Sequence, residues 1–318
     1  MIYYFSGGLT RDMIKYLKNM PEFSALDVLV SQLDKSSISD MISYQAEGIV
    51  NRLFIDSGAF SVHTGKAKVE VDDYIDYLNS IDDHITVCAQ LDTIPGTFGQ
   101  PKSSEDYEKS AKASWDNYIY MRSKLKSPHK LMPVFHFGES FEVLNFMLNW
   151  QDDNGHYLDY IGISPANDVA QKDKNVYLQN VYDVIADSNN PGVKTHLYGM
   201  TSLDALSKYP CYSADSVSHR LQGAYGKVYT PMFGTISVSK RDRTSRTKSN
   251  MSFIETADSI ALQKLKDYLS SLNVTISELQ DSHSCRCAVS MYSILKSLKD
   301  DKSYSSSNLT RSKKLFNI

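Results

Sequence analysis

The sequence has few cysteines, few tryptophans and little net charge, and each shortage excludes a class of protein. Its four cysteines in 318 residues are too few and too scattered for a disulfide framework. A formal net charge of −3 excludes a general basic coat for nucleic acid, so contact with a polyanion needs a local basic patch. No apolar run reaches the roughly 18–20 residues that span a bilayer, so we expect no membrane contact.

The first residues, MIYYFSGGLT (1–10), have neither the basic segment nor the cleavage site of a secretory signal. The stretch is typical of a strand of the fold itself. Because the cysteines do not indicate disulfides, we expect a reduced, cytoplasmic protein.

What the sequence does have is a regular alternation of short apolar runs with helical patterns. Near-continuous apolar strands suit a parallel sheet whose two faces are both covered by helices. Eight repeats favour a closed (β/α)₈ TIM-like barrel over an open sheet, and no GxGxxG motif follows the first run to indicate a dinucleotide fold. The runs are IYYF (2–5), DVLVS (27–31), RLFID (52–56), ITVCAQLD (85–92), LMPVFHF (131–137), YIGIS (160–164), THLYG (195–199) and YSADS (212–216).

The alternation stops toward the C-terminus. SKRDRTSRTKSN (239–250) is polar and basic, and helical stretches follow at 252–272 and 287–299. We therefore divide the chain into a barrel core that carries the active site, 1–230, and a C-terminal part with the basic loop and helices, 231–318.

Three of the apolar runs end in an aspartate: Asp56, Asp92 and Asp215. Each alone is typical of a helix cap or an Asx-turn. Barrel enzymes, however, place their chemistry at the C-terminal ends of the strands, where three such carboxylates would meet and perturb one another's pKa values. Paired carboxylates in a barrel mouth indicate glycosidic chemistry, on sugar polymers or on nucleosides. The two tryptophans lie inside helix patterns rather than forming sugar platforms, which favours nucleosides.

Five segments that occur in order along residues 50–230 resemble segments of the tRNA-guanine transglycosylases. The first resembles the family's Asp-Ser-Gly-Gly-Phe-Gln signature, the second its base-recognising aspartate, the next two the strand ends that line the base pocket, and the last the segment of the nucleophilic aspartate. They are DSGAFS (56–61), QLDTIP (90–95), YIGISPA (160–166), HLYGMTS (196–202) and ADSVSHRLQGAYGKVYT (214–230).

The resemblance implies a base exchange through a covalent intermediate. Asp215 would attack C1′ of a guanosine and expel guanine, and Asp56 would act as general acid and base for the leaving and incoming bases. Asp92 would accept hydrogen bonds from the N1–H and the exocyclic amine of the base. The target base must leave its stack to reach such a pocket.

Further substrate-binding residues follow from the same segments. Ser57 and Gly58 belong to the signature, and Gly162, Tyr198 and Gly199 belong to the strand ends at the base pocket. His136 ends another strand, where it can hydrogen-bond a base carbonyl or simply pack. The bound base would be a 7-deazaguanine supplied free, and no redox or nucleotide cofactor is needed.

The sequence departs from the family in a segment that bears on which nucleic acid is the substrate. The family's arginine-rich segment is here SHRLQGAYG (218–226), in which Arg220 beside His219 is the remaining basic residue and could touch a flanking phosphate. This favours DNA over tRNA as the substrate and a divergent, phage-type branch that acts in the host cytoplasm. A tRNA substrate is the alternative, and a homodimer is possible. The cations of the 239–250 loop could follow a phosphate backbone.

The resemblance also implies a structural zinc site. Cys285 and Cys287 have the first Cys-x-Cys spacing of the family, and His283 is a third candidate ligand. Ser290 replaces the third cysteine and no histidine follows, so the ligand set is short of four and the zinc-binding subdomain would be degenerate. Two other functions stay open: a barrel glycosidase that acts on sugars, and a catalytically inactive subunit that binds nucleic acid.

Overall fold

The computed structural model describes residues 1–165, 169–200, 202–239 and 252–300. Within these ranges, nine parallel strands form one sheet that curls into a nearly closed barrel with helices outside it. The strands are β1 (Ile2–Ser6), β2 (Leu26–Ser31), β3 (Val50–Asp56), β4 (Val87–Ala89), β5 (Leu131–Met132), β6 (Val134–His136), β7 (Tyr160–Ser164), β8 (Lys194–Leu197) and β9 (Ser213–Ser216).

The (β/α)₈ fold that the sequence predicts is confirmed, with one strand in two pieces. Pro133 interrupts the predicted strand 131–137, because a proline has no N–H to give to a ladder. The piece before it, β5, pairs with β4, and the piece after it, β6, pairs with β7. The sheet order β5-β4-β3-β2-β1-β9-β8-β7-β6 therefore begins and ends on the two halves of one strand, and eight strand positions surround the barrel.

Helices follow the strands as the alternation predicts. α5 is the longest of those described, and a capping box lies at its start: the Ser103 hydroxyl accepts from the Asp106 N–H while the Asp106 carboxylate accepts from the Ser103 N–H. The helices of this part are α1 (Arg11–Asn19), α2 (Lys35–Ala46), α3 (Ala59–His63), α4 (Val71–Ser80), α5 (Ser104–Lys124), α6 (Phe141–Asn149), α7 (Gln171–Asp187) and α8 (Leu203–Lys208).

Alternation along each strand divides the core into an inner and an outer layer. Tyr4 and Phe54 are buried inside the barrel with Met132, whereas Tyr3 and Phe5 join the larger cluster between the sheet and the helices. The inner side chains fill the barrel, so it is packed and not a pore. Open space remains at the C-terminal ends of the strands.

The C-terminal part is packed onto the barrel. Its last described helix contacts α1 at the other end of the chain, and it also contacts α9 and β10. The division predicted at residue 230 falls at the end of β10. The elements that follow β9 are α9 (Ser218–Ala224), the antiparallel hairpin β10 (Lys227–Thr230) and β11 (Gly234–Ser237), α10 (Phe253–Thr256), α11 (Ser259–Ser271), α12 (Ile276–Asp281) and α13 (His283–Asp300).

None of the helices in the described ranges has both the length and the apolar character that a membrane span needs.

Candidate active site

A cavity of about 630 Å³ opens at the C-terminal ends of the barrel strands. Asp56, Asp92 and Asp215 all line it, although they follow three different strands and are as many as 159 positions apart. The structure thus brings together the three aspartates that the strand ends indicate. Apolar and aromatic side chains supply much of the remaining wall.

The strand period explains why carboxylates reach this cavity. Residues two apart on a strand point to the same face, so an inward row that begins with a core side chain ends with the side chain at the mouth. On β3 the row runs from Phe54, which is fully buried, to Asp56. On β9 it runs from Ser213 to Asp215.

Asp215 is held by three hydrogen-bond partners. The Ser6 hydroxyl donates to Oδ2 at 2.5 Å, and the Gly199 backbone N–H donates to Oδ1 at 2.9 Å. The Nε2 atom of His196 lies 3.2 Å from the same Oδ1. Only 7% of Asp215 is exposed, so these contacts replace much of the water that a free carboxylate would bind.

Asp56 is in the opposite situation. Burial and the nearby charge of Asp92 raise the pKa of Asp56 to about 7, against a usual value of 3.8. Its main stabilising contact is the Gly58 backbone N–H, 3.0 Å from Oδ2. Gly58 has a φ of 78°, and a Cβ there would lie 2.7 Å from the Leu33 side chain, so the turn that presents this N–H requires glycine.

Asp92 is paired with a cation. The Ser57 hydroxyl donates to Oδ1 at 3.0 Å, and Nε2 of His136 lies 2.8 Å from Oδ2. The other ring nitrogen of His136 lies 3.2 Å from Oε1 of Glu139. Burial lowers the pKa of His136, but hydrogen bonds to the two carboxylates outweigh it and raise that pKa to about 10. His136 is therefore an imidazolium whose two N–H groups are both engaged by carboxylates.

Tyr198 and the two glycines predicted at the base pocket have separate roles. The Tyr198 ring lines the cavity, and its buried hydroxyl has no hydrogen-bond partner among the described residues. Burial keeps the pKa of Tyr198 well above 10, so the hydroxyl keeps its proton and can donate a hydrogen bond. Gly162 lies beneath the ring, where a Cβ would come 2.7 Å from it. Gly199 supplies the N–H to Asp215.

Arg220 and His219 lie away from the cavity wall. A guanidinium N–H of Arg220 donates to the Gly7 carbonyl just beyond β1. His219 is 1% exposed and packs edge-on against Phe5, and burial lowers its pKa to about 3. Both residues thus have partners within the protein, and His219 in particular is not accessible to a phosphate.

The predicted zinc ligands lie at the start of α13. Sγ of Cys287 is 3.4 Å from Nε2 of His283, one helical turn before it. Cys285 is two residues from each, a spacing that puts its side chain on roughly the opposite side of the helix. In the ranges that the structure describes, no three His, Cys, Asp or Glu side chains are grouped so as to hold a metal ion. Two donors meet where a structural zinc site needs four, so zinc stays a prediction and no step is assigned to it.

Four residues of the site were not predicted from the sequence: Ser6, Glu139, His196 and Ser213. Ser6 ends β1, so the strand-end rule that finds the aspartates applies to it too. His196 is a polar residue inside an apolar run, which is a signal for a buried contact. Glu139 follows a strand by three residues and resembles any loop carboxylate. The predicted basic loop, 239–250, lies outside the described residues from 240 onward.

No protein-family model matches the chain, and a search of curated proteins finds no match to it. The chemistry available to the cavity therefore follows from its own side chains. It combines a carboxyl group with three hydrogen-bond partners, a second whose pKa is raised to about 7, and a third bonded to an imidazolium. This set can perform nucleophilic substitution at a carbon with proton transfer to the leaving group.

Proposed function

We propose that this protein is a guanine transglycosylase that exchanges guanine in a nucleic acid for a 7-deazaguanine base. The observation that carries the proposal is that Asp56, Asp92 and Asp215 line one cavity in three different environments. A base exchange needs three such roles: a nucleophile, a proton carrier and a group that recognises the base. The resemblance of the surrounding segments to tRNA-guanine transglycosylases assigns the same three residues to those roles.

Asp215 is the nucleophile of the proposed reaction. Its neighbours donate hydrogen bonds to both carboxylate oxygens and so hold in place the group that attacks the sugar carbon. A lone pair of the carboxylate forms the bond to C1′ as the C1′–N9 bond breaks, and the electron pair of that bond leaves with the purine. The product is a neutral glycosyl ester on Asp215 and a free base.

Asp56 carries the proton. With a pKa of about 7 it is partly protonated at neutral pH, so it can donate a proton to the departing guanine and then hold the negative charge. In the return half of the reaction it takes a proton from the incoming 7-deazaguanine, whose nitrogen then attacks C1′ and releases Asp215. The two halves balance, and no oxidant or reductant is consumed.

Asp92 recognises the base. Each oxygen of a carboxylate has two acceptor positions, so Asp92 can keep its contacts to Ser57 and His136 and still accept the N1–H and exocyclic N–H of a guanine. The free Tyr198 hydroxyl is a donor on the same wall and suits a purine carbonyl oxygen. Adenine presents neither an N1–H nor a carbonyl and would leave these groups unpaired, which supports guanine selectivity.

The proposal also specifies the nucleic acid that serves as substrate. The cavity lies at the barrel mouth, so a target nucleotide must be single-stranded or flipped out of its stack. Arg220, the basic residue that remains of the family's arginine-rich segment, is engaged by the Gly7 carbonyl. This supports DNA over a tRNA anticodon loop, and tRNA remains the alternative. Action in the host cytoplasm and assembly as a homodimer are further expectations.

The test is exchange of isotopically labelled guanine into DNA and into tRNA, followed by nucleoside mass spectrometry. We expect label in deoxyguanosine, and with a 7-deazaguanine in the medium we expect that base in its place. Label in tRNA alone would establish the alternative polymer. Hydrolysis of chromogenic glycosides without guanine exchange would indicate a barrel glycosidase, and nucleic-acid binding without either reaction would indicate an inactive subunit. Either of these two outcomes would overturn the proposal.

A further inference from the structure

Behind Asp215 a row of buried polar groups crosses three strands of the barrel. The Tyr160 hydroxyl on β7 contacts the Ser213 hydroxyl on β9, which lies 2.6 Å from Nδ1 of His196 on β8. Nε2 of the same imidazole lies 3.2 Å from Oδ1 of Asp215. None of the steps described above uses Tyr160, Ser213 or His196.

This row lies in the apolar interior. No part of His196 is exposed, and the edges or faces of its ring meet the rings of Tyr4, Phe54 and Tyr198 at centroid distances of 4.6 to 6.0 Å. Polar groups in such surroundings are costly unless each donor finds an acceptor. Tyr4, Phe54 and Met132 are among the buried apolar side chains of this interior. The imidazole is thus packed among aromatic rings.

The hydrogen-bond logic gives the row a direction. An ionised Asp215 only accepts, so the imidazole must present an N–H at Nε2. A neutral imidazole with its proton on Nε2 has a bare nitrogen at Nδ1, which must accept from the Ser213 hydroxyl. The Ser213 oxygen is then left to accept from the Tyr160 hydroxyl. Each donor in the row points toward Asp215.

We propose that Tyr160, Ser213 and His196 form a directed hydrogen-bond chain that holds an N–H on Oδ1 of Asp215 and sets the rate at which Asp215 leaves the sugar. The proposal rests on the proposed function. With the Gly199 N–H and the imidazole N–H both on Oδ1, the attacking oxygen is Oδ2, whose partner is the rotatable Ser6 hydroxyl. His196 is a positioning residue, because it acts through Asp215.

The two half-reactions should depend on this chain differently. When Oδ2 bonds to C1′ and guanine departs with its electron pair, Asp215 becomes a neutral ester that needs the donors less. When the incoming base attacks C1′, the C1′–Oδ2 bond breaks, its electron pair returns to Asp215, and the two donors on Oδ1 stabilise the restored charge. Loss of the imidazole donor should therefore slow release of the sugar more than its capture.

The kinetic test compares His196→Leu with His196→Gln in single-turnover reactions on guanine-containing DNA. In His196→Leu we expect release of the glycosyl group from Asp215 to be roughly 10- to 100-fold slower, with less change in its formation, so that the adduct accumulates. Gln keeps an N–H that can reach Oδ1 and should restore much of the release rate. Ser213→Ala leaves the imidazole in place without its partner and should show a smaller loss of the same kind.

Tyr182→Phe is the matched control. The Tyr182 hydroxyl is buried and contacts the Thr195 hydroxyl at 3.0 Å on the strand that carries His196, but this pair has no contact with Asp215. Tyr182→Phe and Tyr160→Phe each remove one buried hydroxyl. A loss of packing or stability alone would therefore affect the two variants alike. Equal slowing of both half-reactions in His196→Leu, with no recovery in His196→Gln, would overturn the proposal.

A second test needs no activity. In ¹⁵N-labelled wild-type protein, we expect the His196 ring, assigned by comparison with His196→Gln, to show a protonated Nε2 and a bare Nδ1 at neutral pH. The opposite tautomer or an imidazolium would overturn the proposed direction. This separates the two failures: absence of guanine exchange refutes the proposed function, whereas the wrong tautomer in a protein that exchanges guanine refutes the chain alone.

Discussion

The two sides of the cavity hold aspartates in contrasting surroundings. On one side, Asp56 and Asp92 lie close enough for the charge of one to raise the pKa of the other, and a buried imidazolium, His136, bonds to Asp92. On the other side, the hydrogen-bond partners of Asp215 among the described residues are a hydroxyl, a backbone amide and an imidazole. The same residue type, at the ends of strands of the same barrel, is given different chemistry by its neighbours.

Under the proposed function, the contrast corresponds to two tasks. A proton carrier must be able to lose and regain its proton near neutral pH, which the pair of like charges and the burial of Asp56 provide. A nucleophile must be held in place, which the hydroxyl, amide and imidazole groups around Asp215 provide. We call these the proton side (Asp56, Asp92 and His136) and the nucleophile side (Asp215, Ser6 and His196).

Asp215→Asn should have the largest effect, because it removes the nucleophile side's reacting group. We expect guanine exchange to fall by at least ~10⁴-fold and the covalent adduct to disappear, as for other enzymes that lose their nucleophile. The variant keeps the shape of the side chain, so the thermal midpoint checks that the fold remains. Residual exchange within tenfold of wild type would show that the two sides are not divided in this way.

Asp56→Asn should remove the proton side's acid and base, with a loss of ~10²–10⁴-fold in exchange. In the wild type, expulsion of guanine requires protonated Asp56, so its rate should decline as the pH rises through about 7. The variant has no group that titrates there and should lose this decline. The measurement is the single-turnover rate of adduct formation between pH 5.5 and 9. If the rate of Asp56→Asn still declines as the pH rises, another residue carries the proton.

His136→Gln tests the cation of the proton side. The substitution removes the positive charge between Asp92 and Glu139, so Asp92 is held less firmly. We therefore expect the KM for the incoming base to rise about tenfold, with a smaller change in kcat. Removing one member of a buried ion cluster should also destabilise the fold by about 3 kcal/mol. The double variant with Glu139→Gln restores the net charge and should recover part of both losses. No recovery would indicate that shape, not charge, matters at His136.

The smallest effect concerns stability. The pKa of Asp56 is higher in the folded chain than the usual 3.8, so the folded state binds more protons between about pH 4 and 7, and wild-type stability falls as the pH rises across that range. Asp56→Asn lacks this penalty. We expect the variant to gain roughly 2 kcal/mol in free energy of unfolding relative to wild type between pH 4 and 8, measured by urea denaturation. A constant difference would argue against a raised pKa.

Much of the fold could be predicted from the sequence, because apolar strands and amphipathic helices are local patterns. The alternation gives eight strand positions, and the strand ends give the three aspartates. The two halves of the interrupted strand were not predicted, because only the closure of the barrel shows that β5 and β6 pair with different neighbours.

The supporting contacts of the site were harder to predict, because they join residues that are distant in the chain. Ser6 and Asp215 are 209 residues apart, and nothing in either segment indicates the other. His196 and Ser213 become partners through the register of β8 with β9, in which these two residues are paired. His136 was predicted to hydrogen-bond a base carbonyl or to pack; it lines the cavity, and the bonds of its two ring nitrogens to Asp92 and Glu139 were not predicted.

The most direct measurement of the central claim is a covalent trap. Wild-type protein is incubated with a guanine-containing DNA strand, denatured, digested and examined by mass spectrometry for a peptide that carries a sugar. We predict a denaturation-resistant adduct on the peptide that contains Asp215, lost in Asp215→Asn and reversed by added guanine. Guanine exchange without any adduct, or an adduct on Asp56 or Asp92 instead, would contradict the division of the cavity into a proton side and a nucleophile side.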